Sequence, residues 1–241
     1  MDIINSIDVD GFAIINNIFN DGETDALTKI IVGNGKHDPS FRRGGDLYAI
    51  RRFLHEVPGI IPIIFNSSLN SIINRNFGDD YFVVKSIYFD KPPLSNWFVA
   101  WHQDLNISVS ARHEVACFEN WTNKQGHWAV QPPAAVLEKN FTMRIHLDDT
   151  DSNNGALKVI PGSHRSGITR PDTVVIDKSK EHVCAVPKGG VMIMKPLLMH
   201  ASGRTLNNQR RRVIHIEFSN AVLPVPLKWD EALNPSQIFS Q

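Results

Sequence analysis

Two segments of this 241-residue chain alternate so regularly that they leave few architectures open. In Thr142-Met143-Arg144-Ile145-His146-Leu147 one face carries Thr, Arg and His, and the other carries Met, Ile and Leu. In Arg211-Arg212-Val213-Ile214-His215-Ile216-Glu217-Phe218 one face carries Arg211, Val213, His215 and Glu217, and the other ends in Ile214, Ile216 and Phe218. A period of two marks a β-strand, because successive side chains point to opposite faces. Such strands can turn the polar face to water, as in a sheet covered on one side. They can also turn it into the lumen of a barrel whose apolar outer face something else covers. The N-terminal part reads as helices in need of an apolar surface, so we favour the second arrangement.

Along the chain the helical signals come first. Val9–Ile15 reads as a short strand. Asn20-Asp21-Gly22-Glu23 carries N-cap chemistry for a helix through about Val32. Residues 33–46, rich in Gly, Asp and Arg, read as a loop. Residues 54–76, broken by Pro58 and Pro62, read as two short helices, the second around Ser68–Asn76. After Asn76 the segments Tyr81–Phe89, Trp97–Trp101, Phe141–Leu147, Ala156–Ile160, Gly190–Met194, Leu197–Ser202 and Arg211–Ser219 read as short strands separated by Gly, Pro, Asn and Asp turns. That pattern predicts an antiparallel barrel or jelly roll. With no linker or repeat in sight, we expect a single domain over 1–241, helical over about 1–77 and with a jelly-roll core over about 78–220. Residues 105–140 form a long connection carrying Phe118, Trp121 and Trp128, and we read it as a substrate lid.

Composition narrows the partners. Lys+Arg and Asp+Glu are both 25, so the net charge is zero, which argues against broad binding to nucleic acid or anionic membrane. The longest apolar runs, such as Ile60–Phe65, fall far short of a membrane span. The opening Met1-Asp2-Ile3-Ile4-Asn5 has no basic-then-apolar leader, and two cysteines, Cys117 and Cys184, are too few for a disulfide scaffold. The expectation is a soluble cytoplasmic protein that acts on a small molecule.

The candidate chemistry centres on histidine. His102-Gln103-Asp104, at a strand end, places two metal ligands on one face, and one distant His would complete a two-His-one-carboxylate triad that leaves positions open on an octahedral ion. The motif alone is weak. With ten histidines an accidental His-x-Asp is expected, and the chain also holds His146-Leu147-Asp148 and His215-Ile216-Glu217. A C-terminal hairpin supplies context: His200-Ala201-Ser202-Gly203 closes one strand, Asn207-Asn208 supplies a turn, and Arg211 starts the next. A 2-oxo acid chelating a metal through its keto-carboxylate end needs a cation at its far carboxylate, ideally an Arg fork. A solvated basic turn is the equal alternative for Arg210-Arg211-Arg212.

Three blocks in this order, Trp101-His102-Gln103-Asp104, then Asn154 to His164 with its Pro161-Gly162 turn, then His200 to Gly203 with Arg211, resemble the phytanoyl-CoA dioxygenase family of Fe(II)/2-oxoglutarate oxygenases, which includes ectoine hydroxylase. The resemblance runs from about Tyr81 to Ser219 and implies a double-stranded β-helix, a cupin-like jelly roll. It implies iron ligation by His102, Asp104 and His200, and 2-oxoglutarate held by Arg211 with help from Ser202 and, more loosely, Lys85. Arg144 is a candidate for gripping a substrate anion, with a structural ion pair as the alternative. His146 and Gln103 are further candidates for substrate contact, and His215 and Glu217 for fixing ligand geometry. The resemblance implies hydroxylation of a C–H bond with O2, releasing succinate and CO2. Asp104 stands where related halogenases have a small residue, which favours hydroxylation. Leu105-Asn106-Ile107-Ser108 lacks the aromatic that follows the metal motif of ectoine hydroxylase, which argues against ectoine as substrate. The competing classes are a non-catalytic jelly-roll module that only binds metal and 2-oxoglutarate, and a metal-assisted hydrolase.

Overall fold

The computed structural model describes residues 2–34, 41–44, 47–124, 126–169 and 176–235, with the backbone alone over 41–44 and 47–48. The helices are α1 (Ile3–Asp10), α2 (Asp21–Gly33), α3 (Phe53–Glu56), α4 (Ile61–Ile64), α5 (Ser67–Asn76) and α6 (Ala134–Glu138). The strands are β1 (Phe12–Ile15), β2 (Phe41–Gly44), β3 (Leu47–Arg51), β4 (Phe82–Lys91), β5 (Val99–His102), β6 (Ile107–Val109), β7 (Glu119–Lys124), β8 (His127–Gln131), β9 (Asn140–His146), β10 (Leu157–Val159), β11 (His182–Cys184), β12 (Val191–Met194), β13 (His200–Ser202) and β14 (Arg211–Ser219).

The predicted cap starts α2. Asn20 Oδ1 accepts from the Glu23 amide at 3.0 Å, and Glu23 Oε2 accepts from the Asn20 amide at 2.8 Å, a reciprocal capping box. The segment 54–76 breaks into more pieces than expected, with α3, a 3-10 turn at Pro58–Ile60 and α4 preceding α5. The start of the expected strand at Val9 is corrected. Ile3–Asp10 is helical, capped by Asp2, and Gly11 at φ 85° ends it. Only Ile7 of α1 is buried, so eight residues carry too little periodicity to show in the sequence. A Cβ on Gly11 would lie 2.6 Å from His164 Nδ1, so glycine is required there twice over.

All strand pairs are antiparallel. One sheet has the order β1-β12-β9-β14-β4-β3-β2, and a second has β11-β10-β13-β5. A cavity lined by Phe89, Arg144, Arg211 and His215 from the first and by His102 and His200 from the second lies between them, which is the jelly-roll arrangement. The outer face of the larger sheet is apolar. Met143, Ile145, Ile214, Ile216 and Phe218 pack with Leu27, Ile31, Phe53, Ile64 and Leu69 of the helices, and Phe141 stacks on Phe218 with centroids 4.9 Å apart. Each such buried side chain contributes roughly 1.5–3 kcal/mol. The polar faces of β9 and β14 therefore point into the lumen, as the alternation demanded.

The loop expected over 33–46 is corrected, and the connection over 105–140 proves to be folded. Part of the loop over 33–46 is β2, paired with β3, while 35–40 and 45–46 lie outside the described residues. The connection over 105–140 holds a three-stranded sheet, β6-β8-β7, and α6. It has its own core of Ile107, Val109, Phe118, Val130 and Leu137, closed by Leu197, Leu223 and Leu227. Its strands are short and carry mixed polarity, because packing on the C-terminal segment stabilises them rather than alternation of their own.

Candidate metal centre

β5 ends at His102 and β13 begins at His200, and the two are register partners. Their ring centroids stand 4.2 Å apart. Just past β5 the Asp104 amide donates to the Pro196 carbonyl at 2.9 Å, which turns the chain so that the carboxylate meets both rings. Asp104 Oδ1 is 3.8 Å from His102 Nε2, and Oδ2 is 3.8 Å from His200 Nε2. Neither distance is a hydrogen bond. One donor atom from each residue lies within 4.8 Å of the other two, the one such group of metal-ligating side chains among the described residues.

The tautomers suit a metal. His102 Nδ1 donates to the Ala100 carbonyl and His200 Nδ1 to the Leu198 carbonyl, each at 2.8 Å, which leaves both Nε2 lone pairs free. Burial holds His200 down to about 4, so its ring is neutral near pH 7. Enclosure alone would raise the Asp104 carboxyl, but His200, His215, Lys85 and His102 outweigh it and hold the group below the usual carboxylate range. Two imidazole lone pairs and one carboxylate are a donor set that fits Fe(II).

Next to these donors sits a cation that no carboxylate among the described residues pairs with. Arg211 is 4% exposed, and its Nη1 donates to the Gly155 carbonyl and, at 3.4 Å, to Ser202 Oγ. Its Nε has no partner. The neighbouring arginines differ. Arg210 forks onto Asp90, and Arg212 forks onto Asp148 with contacts of 2.9 and 2.6 Å. Of the three arginines in the run, Arg211 is therefore the one buried with neutral acceptors only, and it is suited to an incoming carboxylate. Ser202 Oγ donates to the Gly155 carbonyl at 2.9 Å and borders the same cavity.

The remaining candidates separate. Arg144 lines the metal-side cavity and donates from Nη1 to His215 Nδ1 at 2.9 Å, so His215 Nε2 carries the proton and donates to Glu217 Oε1 at 3.1 Å. Lys85 Nζ reaches the same oxygen at 2.7 Å. Enclosure works against the Lys85 charge, but Glu217 and Asp104 raise its pKa above the ordinary value. Lys85 therefore belongs to a buried Arg144–His215–Glu217–Lys85 chain and lines a different, larger cavity rather than the one around Arg211. His146 is neutral, its pKa far below the ordinary value through burial and then Arg144 and Arg211, and its Nδ1 meets Thr150 Oγ1 at 2.8 Å. It does not border the metal-side cavity. Gln103, a candidate for substrate contact, holds three backbone groups together. Its amide donates to the Gly167 and Leu197 carbonyls at 2.9 and 2.7 Å and accepts from the Thr169 amide at 2.7 Å, so both of its donors are taken by backbone. His164 bonds the Asp8 carbonyl at 3.2 Å, tying the Pro161-Gly162 turn to α1.

Sequence reasoning missed Lys91, which continues the inward row Lys85, Ile87, Phe89 by the same period of two. It also missed Glu231, whose carboxylate holds the Ser86 amide and hydroxyl, both at 2.6 Å, and for which no local signal exists.

The family model described as phytanoyl-CoA dioxygenase (PhyH) matches residues 7–213. The chain belongs to this family. The ectoine dioxygenase of Sphingopyxis alaskensis is 24% identical over 195 residues, which cover 76% of this chain and only 56% of that relative. Solved structures share the fold. HygX of Streptomyces hygroscopicus, with nickel and 2-oxoglutarate bound, superposes with a TM-score of 0.63 at 15% identity over 90% of this chain and 85% of its own. EvdO2 of Micromonospora carbonacea var. aurantiaca, complexed with 2-oxoglutarate, superposes with a TM-score of 0.64 at 17% identity over 97% and 94%. Among the described residues of this PhyH-family chain, no helix is long and apolar enough to cross a membrane.

Proposed function

We propose that this chain is an Fe(II)- and 2-oxoglutarate-dependent dioxygenase that hydroxylates a C–H bond of a small polar molecule. The observation that carries the reading is the juxtaposition of three converging metal donors with a buried Arg211 that has no carboxylate partner among the described residues. His102, Asp104 and His200 would hold the iron, and Arg211 with Ser202 would hold the far carboxylate of 2-oxoglutarate. Bound there, iron with 2-oxoglutarate and O2 supplies the oxidising power for hydroxylation, one oxygen atom entering the substrate and the other the succinate formed as CO2 leaves.

The protein's part is position and polarity. Beyond the metal donors, along the inward faces of β4 and β14, Ile87 and Lys85 open onto a cavity of about 160 Å3. Arg52, Asn106, His127 and Trp128 line it too, so the folded 105–140 segment contributes one wall. We assign this chamber to the substrate. Its mixed charges and hydroxyls suit a polar molecule and give no apolar trough for a long acyl chain. The Arg144–His215–Glu217–Lys85 chain links the two cavities, with Arg144 and His215 on the metal side and Lys85 on the chamber, and fixes these side chains by mutual contacts. Zero net charge and the unpaired Cys117 and Cys184 support a cytoplasmic setting without nucleic-acid or membrane partners.

The test is anaerobic addition of Fe(II), then 2-oxoglutarate, to metal-free protein while the visible spectrum is recorded. A charge-transfer band that needs both additions and disappears in His102→Ala and Arg211→Ala is the expected result. Its absence, with neither component bound, overturns the reading. A band with no succinate release across a panel of polar substrates leaves a binding module instead of an enzyme.

A further inference from the structure

We propose that the substrate carries an acid group, a carboxylate or a phosphate monoester, and that Arg52 grips it at the wall of the chamber beyond the metal donors. This deepens the function proposed above and rests on it.

Arg52 stands where a strand would not put it. Arg51 ends β3 opposite Ile87 of β4, and both line the chamber. A period of two would turn the next residue to the face of Ile50, which is fully buried in the core. Instead Arg52 takes the left-handed conformation, φ 49° and ψ 43°, and two consecutive arginines border one cavity. Left-handed backbone is costly for a residue with a Cβ, so Gly or Asn would serve better if a turn into α3 were all that was needed. The surroundings hold the conformation. The Leu54 amide donates to Ser86 Oγ at 2.9 Å, and Glu231 holds Ser86 through both of its carboxylate oxygens. Strain kept at a cavity wall, on a residue whose side chain the turn does not need, points to a use for that side chain.

The guanidinium is poorly satisfied within the protein. Its Nε is buried without a hydrogen bond and stands 3.6 Å from Asp230 Oδ2. That oxygen is shared, since His127 Nδ1 approaches it to 3.9 Å. Neither contact is a hydrogen bond. The other acid of the wall, Glu231, has both oxygens on Ser86. Lys124 of β7 lines the same chamber and forms no ion pair among the described residues. The net charge of the chain is zero, so cations gathered on one wall are a local feature of this cavity. A guanidinium with unused donors matches a carboxylate or phosphate, which offers two oxygens to its planar fork. Such a ligand would give Arg52 the hydrogen bonds that Asp230 does not.

The experiment uses anaerobic protein loaded with Fe(II) and 2-oxoglutarate, so that Arg211 is already occupied. Calorimetry is run with three small hydroxylated probes that differ at one end: glycerol, 3,4-dihydroxybutyrate and glycerol 3-phosphate. Their hydroxyls suit Asn106, Ser108 and Thr122 on the wall. We expect at least one acid to bind about tenfold or more tightly than glycerol, the scale of a hydrogen bond to a charged group. Arg52→Asn should remove that preference and Arg52→Lys should keep part of it. The acid that binds more tightly tells carboxylate from phosphate. Arg52→Asn should melt at or above wild type, because asparagine tolerates the left-handed turn. A variant that melts well below wild type, or that keeps the full preference for the acids, overturns the role of Arg52. No acid preferred over glycerol, with the band of iron and 2-oxoglutarate intact, overturns the acid substrate. Absence of that band removes the function proposed above instead.

Discussion

The chain carries the same three-residue pattern twice, and the two copies do different things. His102-x-Asp104 lies where β5 stops, so Asp104 is free of the strand and swings toward His102 and the register partner His200. His146-x-Asp148 lies at the end of β9, a strand buried along its length. There His146 is occupied by Thr150, and Asp148 accepts the Arg212 amide and both arms of its guanidinium. Identical spacing thus produces a set of donors in one place and a structural tie in the other. The difference lies in what the fold brings opposite each pair: a second histidine with a free Nε2, or an arginine.

That contrast can be broken by parallel substitutions. His200→Ala or Asp104→Ala should lower Fe(II) affinity more than the roughly 10–100-fold that loss of an outer partner causes. His146→Ala should still bind one equivalent by anaerobic equilibrium dialysis. Equal metal loss in His146→Ala would erase the distinction.

The next effect is acid sensitivity of the metal-free protein. His200 is held down to about 4, below its unfolded value of 6.5, so the unfolded chain takes up the proton first and stability falls as pH drops from about 6.5 to about 4. The full shift is worth on the order of 3 kcal/mol. Urea unfolding at pH 7 and pH 4.5 should show His200→Asn losing less stability than wild type. His146 is depressed in the same direction and contributes its own loss, so some slope should survive in that variant.

Asp148→Asn should cost about 2 kcal/mol, between the worth of a surface pair and a buried one, or about 4–8 °C in melting temperature for a chain of this size. Its metal content should not change, and metal loss would mean that the second pair does more than tie β9 to β14. Gln103→Ala should have the smallest effect, about 1–2 kcal/mol for its lost backbone bonds. A change in substrate KM with stability intact would assign Gln103 a substrate contact.

Much of this was legible in the residues. Alternation in β9 and β14 showed which side chains share a face, and the need to cover Ile214, Ile216 and Phe218 pointed to helices on the outside. The capping pair Asn20 and Glu23 showed where α2 starts. Less legible were α1, with a single buried residue, and the β6-β8-β7 sheet, whose stability comes from Leu223, Leu227 and Trp229 far along the chain. Lys91 was missed because the strand was read as ending at Phe89, two residues short of the real end.

By itself the sequence determined periodicity, capping and the inventory of donors, since backbone sterics and short-range hydrogen bonds set these within a few residues. Only the tertiary structure decided which His-x-acid pair meets a second histidine, which of three consecutive arginines has no counterion among the described residues, and that Lys85 answers to Glu217 while Lys91 faces Arg211. Those are register relations between strands distant in the chain, and no local pattern encodes what lies across a sheet.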